Sequence, residues 1–557
     1  MGRFFLAFLF FALLAPKVSL AYVRTVASSG IPLYWPNPSL NLALNPANAS
    51  GLSNAQVANL IDGAFSSWHS ADSSISYSLS SSTSYPTNGA QNGINEIFFS
   101  SHAPNSLDYG VVALTRVLYY PSNGQLVQFD MQFNDQQFLF TSNPGDTGKL
   151  INGQTAIYLQ DVATHEAGHA FGFDHSTVER STLVYSAFSG QFNLGDDDIT
   201  AINTVYPSSG GKGSISGSVE GLSGGVFGAH VIAVNQSTGH VQAGTLANPD
   251  GSFTIGDIPA GDYVVMMEPL ETSTSTISSY YQNVNHAFCG ASKFKRSFYG
   301  ACGSGVATTV NVQAGAGTSI GTLSPTCSQM GNPAGAPTSL GSAKLYNSSG
   351  GAMFGTLVNG GDTHYYKIPG VSGNLSAIAM SYTLYSPADV VVDILHSDGS
   401  AVAGASSTDN VENPMPGGHI NFDSSASVSG LSSGDYIIRV RSNTLSLPAY
   451  DYPAGYSMLD SSAHYLLLVS VNGNHGVATT TDMSACISLN NVAQSSNRTP
   501  ASDGSSKTQS GGGCGMIQGS GAGPGGPASS IWESSLTLIL LTAIATKLAQ
   551  ALARRRS

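Results

Sequence analysis

Between Thr164 and Ser176 the chain reads THEAGHAFGFDHS, which places three of its 13 histidines at offsets of four and six. Positions i and i+4 of an α-helix share a face, so His165 and His169 are expected to project side by side. Gly172 permits the left-handed turn that ends a helix, after which the returning chain offers His175 as a third nitrogen. Imidazole ligands suit zinc over calcium or magnesium, and three protein ligands with a fourth position open are the pattern of catalytic rather than structural zinc. Glu166 follows the first histidine, where its carboxylate can reach a water at that open position and act as general base. The full pattern is His-Glu-x-x-His-x-x-Gly-x-x-His, expected by chance on the order of 10⁻⁵ times per chain of this composition. Asp161 and Asp174 flank the run. They are candidates to orient the histidines, with ordinary surface aspartates the alternative.

These side chains need elements to hold them. Val57, Leu60, Ile61, Ala64, Phe65 and Trp68 recur at helical spacing, predicting a helix over Ser53 to Trp68. Ser53 and Gln56 can form a capping box at its start. Strands are expected at Ile75 to Leu79, Asn95 to Phe99, Val111 to Tyr120 and Gln125 to Phe133. The last of these is the candidate edge strand for pairing with an extended substrate. The histidine helix is expected from about Thr155 to Phe171. A third helix is expected from Asp196 to Val205, its acidic start suiting a helix N-terminus.

The complete motif is that of the metzincin peptidases. The flanks LQDVATHEAGHAFGFDHS, STLVYSAF and LGDDDITAINTVYP resemble the matrixin-like branch over residues 22–208. That resemblance implies an α+β catalytic domain, a zinc endopeptidase activity, His165, His169 and His175 as metal ligands and Glu166 as the catalytic base. Val184 stands where the family has the methionine beneath the metal, and would serve as an apolar floor. Tyr185 is out of register with the metal-binding tyrosine of other metzincins and is not assigned as a ligand. No cysteine precedes Cys289, so a cysteine-based latency switch is not expected. The family also implies calcium, with Asp130, Asn134 and Asp135, or Asp196 to Asp198, as oxygen donors.

After a Ser/Gly linker at 208–213 the pattern changes to short strands and glycine turns. Residues 213–323, with a hairpin expected at Asp250-Gly251, resemble a carboxypeptidase-regulatory-like β-sandwich, a module that usually acts as a spacer. Residues 330–487, through THYYKIPGVSG, YSPADVVVDILHSDGS and LSSGDYIIRVRS, resemble the pre-peptidase C-terminal β-sandwich of secreted bacterial proteases. Asp389, Asp393 and Asp398 are further calcium candidates there. Cys289 with Cys302, and Cys327 with Cys486, are the preferred disulfides, although four cysteines allow other connectivities. Residues 488–530 have the composition of a flexible tether. The stretch 531–557 is expected to be a hydrophobic helix followed by Arg554 to Arg556. With Cys514 upstream it resembles a bacterial C-terminal sorting tail, an ordinary membrane anchor being the alternative.

Arg3, the apolar run Phe4 to Ala15 and Ser19-Leu20-Ala21 read as a signal peptide ending before Tyr22. The chain is therefore expected to be exported to the extracellular space or a bacterial cell surface. At 557 residues with 41% hydrophobic content it is long enough for several cores. A net charge of −13, without a basic stripe, argues against nucleic acid as a partner. Protein or peptide substrates are expected, with matrix or envelope polymers as candidate partners of the sandwiches. The competing reading is a surface adhesion protein whose peptidase domain is weak or inactive.

Overall fold

The computed structural model describes residues 22–27, 31–82, 91–176, 178, 180–184, 187–208, 211–221, 224–248, 250–268, 287–289, 292–293, 297–300, 307–324, 337–346, 350–357, 362–384, 386, 388–406, 408–409, 423–442, 463–476 and 532–539. The signal peptide, the tether, the arginine cluster, Tyr185, Cys302, Cys327, Cys486 and Cys514 lie outside them. So does the side chain of Cys289.

The first region is a twisted sheet backed by helices. It is built from β1 (Ser39–Leu44), α1 (Asn54–His69), β2 (Ser76–Ser81), β3 (Asn95–Phe99), β4 (Val111–Tyr119), β5 (Leu126–Phe133), β6 (Leu139–Thr141), β7 (Leu150–Ile151), β8 (Gln154–Tyr158), α2 (Leu159–Ala170) and α3 (Asp196–Val205). The main sheet has the order β2-β1-β3-β5-β4. Neighbours are parallel except for β4, which runs antiparallel to β5. The expectation that Gln125 to Phe133 forms the edge is therefore overturned: β5 is flanked on both sides, and it alternates with buried residues on both faces as an interior strand does. The strand on the helix side is β4.

The N-terminus of α1 carries the capping box anticipated from Ser53 and Gln56, with each side chain bonded to the other's backbone N–H. Val57, Ile61, Ala64, Phe65 and Trp68 are buried and share one core with α2 and the sheet. The histidine helix starts four residues later than expected. Gln154 to Tyr158 is a strand, paired with β6 and β7, because the β-branched Thr155 and Ile157 favour extended backbone. α3 spans Asp196–Val205 as expected.

Residues 213–323 form two facing sheets around a shared core of Ile215, Val219, Val231, Phe253, Ile255, Tyr263 and Val265. One holds β9 (Gly213–Gly221), β10 (Gly224–Gly225) and β13 (Ser252–Ile258). The other holds β11 (His230–Asn235), β12 (Val241–Leu246) and β14 (Gly261–Glu268). The Asp250-Gly251 turn does not close a hairpin. It carries the chain from β12 in one sheet to β13 in the other, with Gly251 at φ 83°.

The next region is a single sheet rather than two separate ones. Its order is Gly350–Leu357, Ala463–Val471, Thr363–Met380, Ser424–Ser442, Val390–His396, Ala401–Ser406. Met353 from one end and Val402 from the other share a core, so the sheet folds over on itself. The long central strands bend where their register shifts, between Ile368 and Leu375.

The expected C-terminal helix is also overturned where it is described. Trp532–Ile539 is a strand, paired antiparallel with the outer edge of β4. The run Ser535-Leu536-Thr537-Leu538 alternates polar and apolar residues with the period of a strand. Among the described residues no helix is long and apolar enough to cross a membrane.

Candidate metal centre

The helix α2 is locked in place at both ends of the histidine motif. Trp68 Nε1 on α1 donates to Thr164 O at 2.8 Å. At the C-terminus, where helix carbonyls lose their intrahelical partners, Trp35 Nε1 donates to Ala170 O and Tyr206 Oη to Phe171 O, each at 2.8 Å. Gly172 then takes φ 90°, and a side chain there would meet the backbone oxygen of Leu33 at 2.7 Å. Gly168 has no such conformational demand but is equally constrained. A Cβ on it would lie 2.6 Å from Leu183 and 2.8 Å from Trp68, so absence of a side chain lets α2 sit down on α1 and on the loop below.

The turn at Gly172 brings His175 back over the helix. The ring centroids of His165 and His169 are 4.6 Å apart, those of His169 and His175 4.8 Å, and those of His165 and His175 5.3 Å. One nitrogen from each ring lies within 4.8 Å of the others, and all three residues are buried. Nδ1 of His165 faces Thr182 O at 2.8 Å and Nδ1 of His169 faces Phe173 O at 2.9 Å. A carbonyl accepts only, so each Nδ1 carries the proton and each Nε2 lone pair is aimed at the common centre. Those two Nε2 atoms are 3.0 Å apart. Tetrahedral zinc with bonds of 2.0–2.1 Å needs nitrogens roughly 3.4 Å apart. The donor set, its inward lone pairs and its spacing therefore fit a zinc ion.

The electrostatics agree with that fit. Burial, then the neighbouring His169 and His175, drives the His165 imidazole well below its ordinary range. Burial lowers His169 to about 4. Both rings are thus neutral, as metal ligands must be. Glu166 is fully buried, and burial raises its carboxyl to about 8 against the opposing hydrogen bond from Thr115. Thr115 Oγ1, on β4, donates to Glu166 Oε2 at 2.6 Å. Oε1 has no hydrogen-bond partner among the described residues. A buried carboxylate oxygen without a donor is costly, and a water at a metal's open position would satisfy it.

Asp161 and Asp174 are not surface aspartates, since both are fully buried. Asp161 accepts from Thr147 Oγ1 at 2.7 Å and from the backbone N–H groups of Gly190 and Phe192 at 3.1 Å. It thereby fixes the loop bearing Gln191. Burial raises its carboxyl to about 7. Asp174 accepts from the His175 backbone N–H at 2.7 Å and lies 3.8 Å from His175 Nδ1, beyond hydrogen-bond range. Val184 is buried as an apolar floor would be, yet the side chain placed against the helix at Gly168 is that of its neighbour Leu183.

Three contributors were not visible in the sequence. Thr115 lies 51 residues before Glu166, and nothing in its strand marks it. Gln191, fully buried, donates to Thr182 O at 2.6 Å beside His165. Asp198 accepts from the backbone N–H groups of Thr182 and Gly195, each at 2.7 Å, and so sets the carbonyl that His165 needs. The acidic run at 196–198 did signal importance, but as a calcium or helix-start feature.

Several of the calcium candidates are engaged by the protein's own groups. Asp135 accepts from the N–H groups of Ala49 and Ser101. Asn134 Nδ2 donates to Val111 O while its Oδ1 has no hydrogen-bond partner among the described residues, and Asp130 accepts from Gln128. Asp196 pairs with His240 at 2.9 Å. Asp393 is held between Arg439 at 2.8 Å and Arg441 at 3.1 Å, and exposed Asp398 caps its own turn by accepting from Ser400. Among the described residues the histidine triad is the cluster suited to a metal.

An α+β region whose buried helix supplies two histidines and whose next turn supplies a third has a cluster suited to a single metal ion. Comparison makes the class specific: the matrixin family model (peptidase family M10) matches residues 34–207, so the chain carries a matrixin-type domain there. Short stretches resemble curated relatives. The Hatching enzyme of Paracentrotus lividus is 46% identical over 59 residues, 10% of each chain. Metalloendoproteinase 2-MMP of Arabidopsis thaliana is 34% identical over 64 residues, covering 11% of this chain and 17% of the relative. Metalloendoproteinase 5-MMP of the same plant is 35% identical over 86 residues, covering 14% and 23%. The matches thus span less than a quarter of each relative's length.

Proposed function

We propose that residues 22–208 form a zinc-dependent endopeptidase that acts on extracellular proteins after export. His165, His169 and His175 hold the metal, and Glu166 is the general base. The observation that carries this reading is a fully buried glutamate with one oxygen fixed by Thr115 and the other without a donor, beside three inward-facing imidazoles.

When bound, zinc supplies a Lewis acid that brings a water's acidity toward neutrality and polarises the scissile carbonyl. Glu166 Oε1 accepts the proton of the attacking water and delivers it to the departing amine. Thr115 keeps the carboxylate turned toward that water. The carbonyls of Thr182 and Phe173 keep the imidazoles in the tautomer whose Nε2 faces inward. An extended peptide is recognised through backbone hydrogen bonds along β4, the strand that bears Thr115. Trp532–Ile539 pairs with that same edge, so an incoming peptide competes with it for the same backbone groups. The sheets of 213–323 and 330–487 follow the peptidase in the chain and pack against it through the cluster around Val178. Retention at the cell surface would come from the tail beyond 488.

The test is a peptide-library digest by the purified protein and its Glu166→Gln variant, with zinc quantified in both and chelator as control. Chelator-sensitive cleavage by the wild type alone, with equal zinc, supports the proposal. Stoichiometric zinc without cleavage favours an inactive surface-binding protein.

A further inference from the structure

The resemblance of residues 213–323 to a spacer module leads one to expect a passive neighbour, but its strand β12 is bonded into the metal site. Both sides of His175 converge on one residue, Gly244. On the C-terminal side, Ser176 Oγ donates to Asp197 Oδ2 at 2.7 Å, and Asp197 Oδ1 accepts the Gly244 N–H at 2.8 Å. On the N-terminal side, the Asp174 N–H donates to Val23 O at 3.0 Å, and the preceding residue, Tyr22, donates its backbone N–H to Gly244 O at 2.7 Å. The peptide groups of a single glycine thus anchor the residue before and the residue after the third histidine.

Packing supports the same connection. Val178, two residues past Ser176, is 4% exposed and sits in one apolar cluster with Ile232, Val234 and Met266 of the 213–323 sheets and with Phe354 and Leu466 of the following sheet. Gly244 is tightly enclosed there. A Cβ on it would lie 2.6 Å from His230 Nε2 and 3.0 Å from Val178 Cγ2. A side chain there must displace the His230 ring first, and presses next on Val178 in the loop after His175. Around this point Thr200 on α3 exchanges hydrogen bonds with Gln242 on β12. These add adhesion between the regions without touching the loop.

We infer that β12 is a working part of the metal centre, and that Asp197 and Gly244 are positioning residues which hold the third ligand, His175, over the other two. The peptidase region supplies the histidines, but the neighbouring sheet fixes the distance between the helix pair and the returning loop. Outer partners that orient a metal ligand contribute about 10–100-fold to metal affinity, and the same range is expected here. The inference rests on the metal-site reading of the triad.

The experiment uses the full chain, loads it with zinc, and follows zinc release to a chromogenic chelator. Gly244→Val and Asp197→Ala should release zinc at least tenfold faster than wild type. Asp197→Asn keeps an acceptor for Gly244 N–H and a polar partner for Ser176, and should recover most of the loss. Gln242→Ala weakens the same interface away from the loop and should stay within twofold of wild type. This separates positioning from general loosening, and the Asp197 pair decides the matter should Gly244→Val fail to fold. Wild-type release from both Gly244→Val and Asp197→Ala overturns the inference, as does equal acceleration in Gln242→Ala. A wild-type chain that takes up no zinc instead overturns the metal-site reading itself.

Discussion

Glu166 in the matrixin-type region and Asp423 in the folded-over sheet are both buried carboxylates, and both are raised by burial, to about 8 and about 6 respectively. Their surroundings differ. Asp423 accepts from the backbone N–H groups of Ser381 and Tyr382 at 2.6 Å, from that of Thr383, and from the Thr383 hydroxyl. Both of its oxygens are filled, and it ties two segments together. Glu166, on the helix turn that bears His165 and His169, has one oxygen held and the other without a partner among the described residues. Burial alone therefore does not distinguish a reactive acid from a structural one. The difference lies in whether the fold completes the acid's hydrogen bonds or leaves a place for a ligand.

The contrast breaks most visibly at Glu166. Replacing it with glutamine should lower peptide hydrolysis by about 10²–10⁴-fold, the usual range for a general base, while zinc content by atomic absorption stays unchanged. Loss of zinc in that variant would make the residue structural, like its counterpart. Asp423 offers the opposite signature. Its folded-state value lies above the unfolded 3.8, so the stability it confers is complete below pH 4 and is lost as pH rises through about 6. The loss should amount to roughly 3 kcal/mol, and Asp423→Asn should abolish that part of the slope. Hydrogen exchange in the 424–442 strand at pH 4 and pH 7, wild type against variant, measures it.

A smaller effect tests whether the metal site depends on backbone alone. Gly172→Ala forces φ 90° on an alanine and drives its Cβ toward Leu33 O. A cost of about 1–3 kcal/mol is expected, read as a lower unfolding midpoint together with weaker zinc retention. The smallest change sharpens the comparison itself. Thr115→Val removes the side-chain donor that Glu166 has among the described residues, which should cost about tenfold in turnover with zinc unchanged. Thr115→Ser should restore it.

Much of the first region was legible because its signals are local. The capping box at Ser53, the apolar stripe of α1 and the acidic start of α3 depend on residues within a few turns, and each forms where expected. The histidine spacing likewise foretold which nitrogens meet. The errors concern longer range. Thr155 to Tyr158 reads as part of the helix because nothing nearby announces β6 as its partner. Nothing within Gln125 to Phe133 tells an edge from an interior strand, because strand order is decided by which segments pair across the chain. Trp532–Ile539 reads as helix or strand by composition, and pairing with β4 decided it.

The amino-acid order by itself determined the donor set: which imidazoles share a helical face, where glycine lets the chain turn back, and which carboxylate stands beside them. These follow from the 3.6-residue period and from the freedom of one glycine, and neither requires distant partners. Only the tertiary structure decided that Thr115 holds Glu166, that the Thr182 carbonyl sets the His165 tautomer, and that Gly244 anchors both sides of His175. Those contacts join residues separated by 17 to more than 50 positions, and a distance across a packed core is a property of the whole fold rather than of any stretch within it.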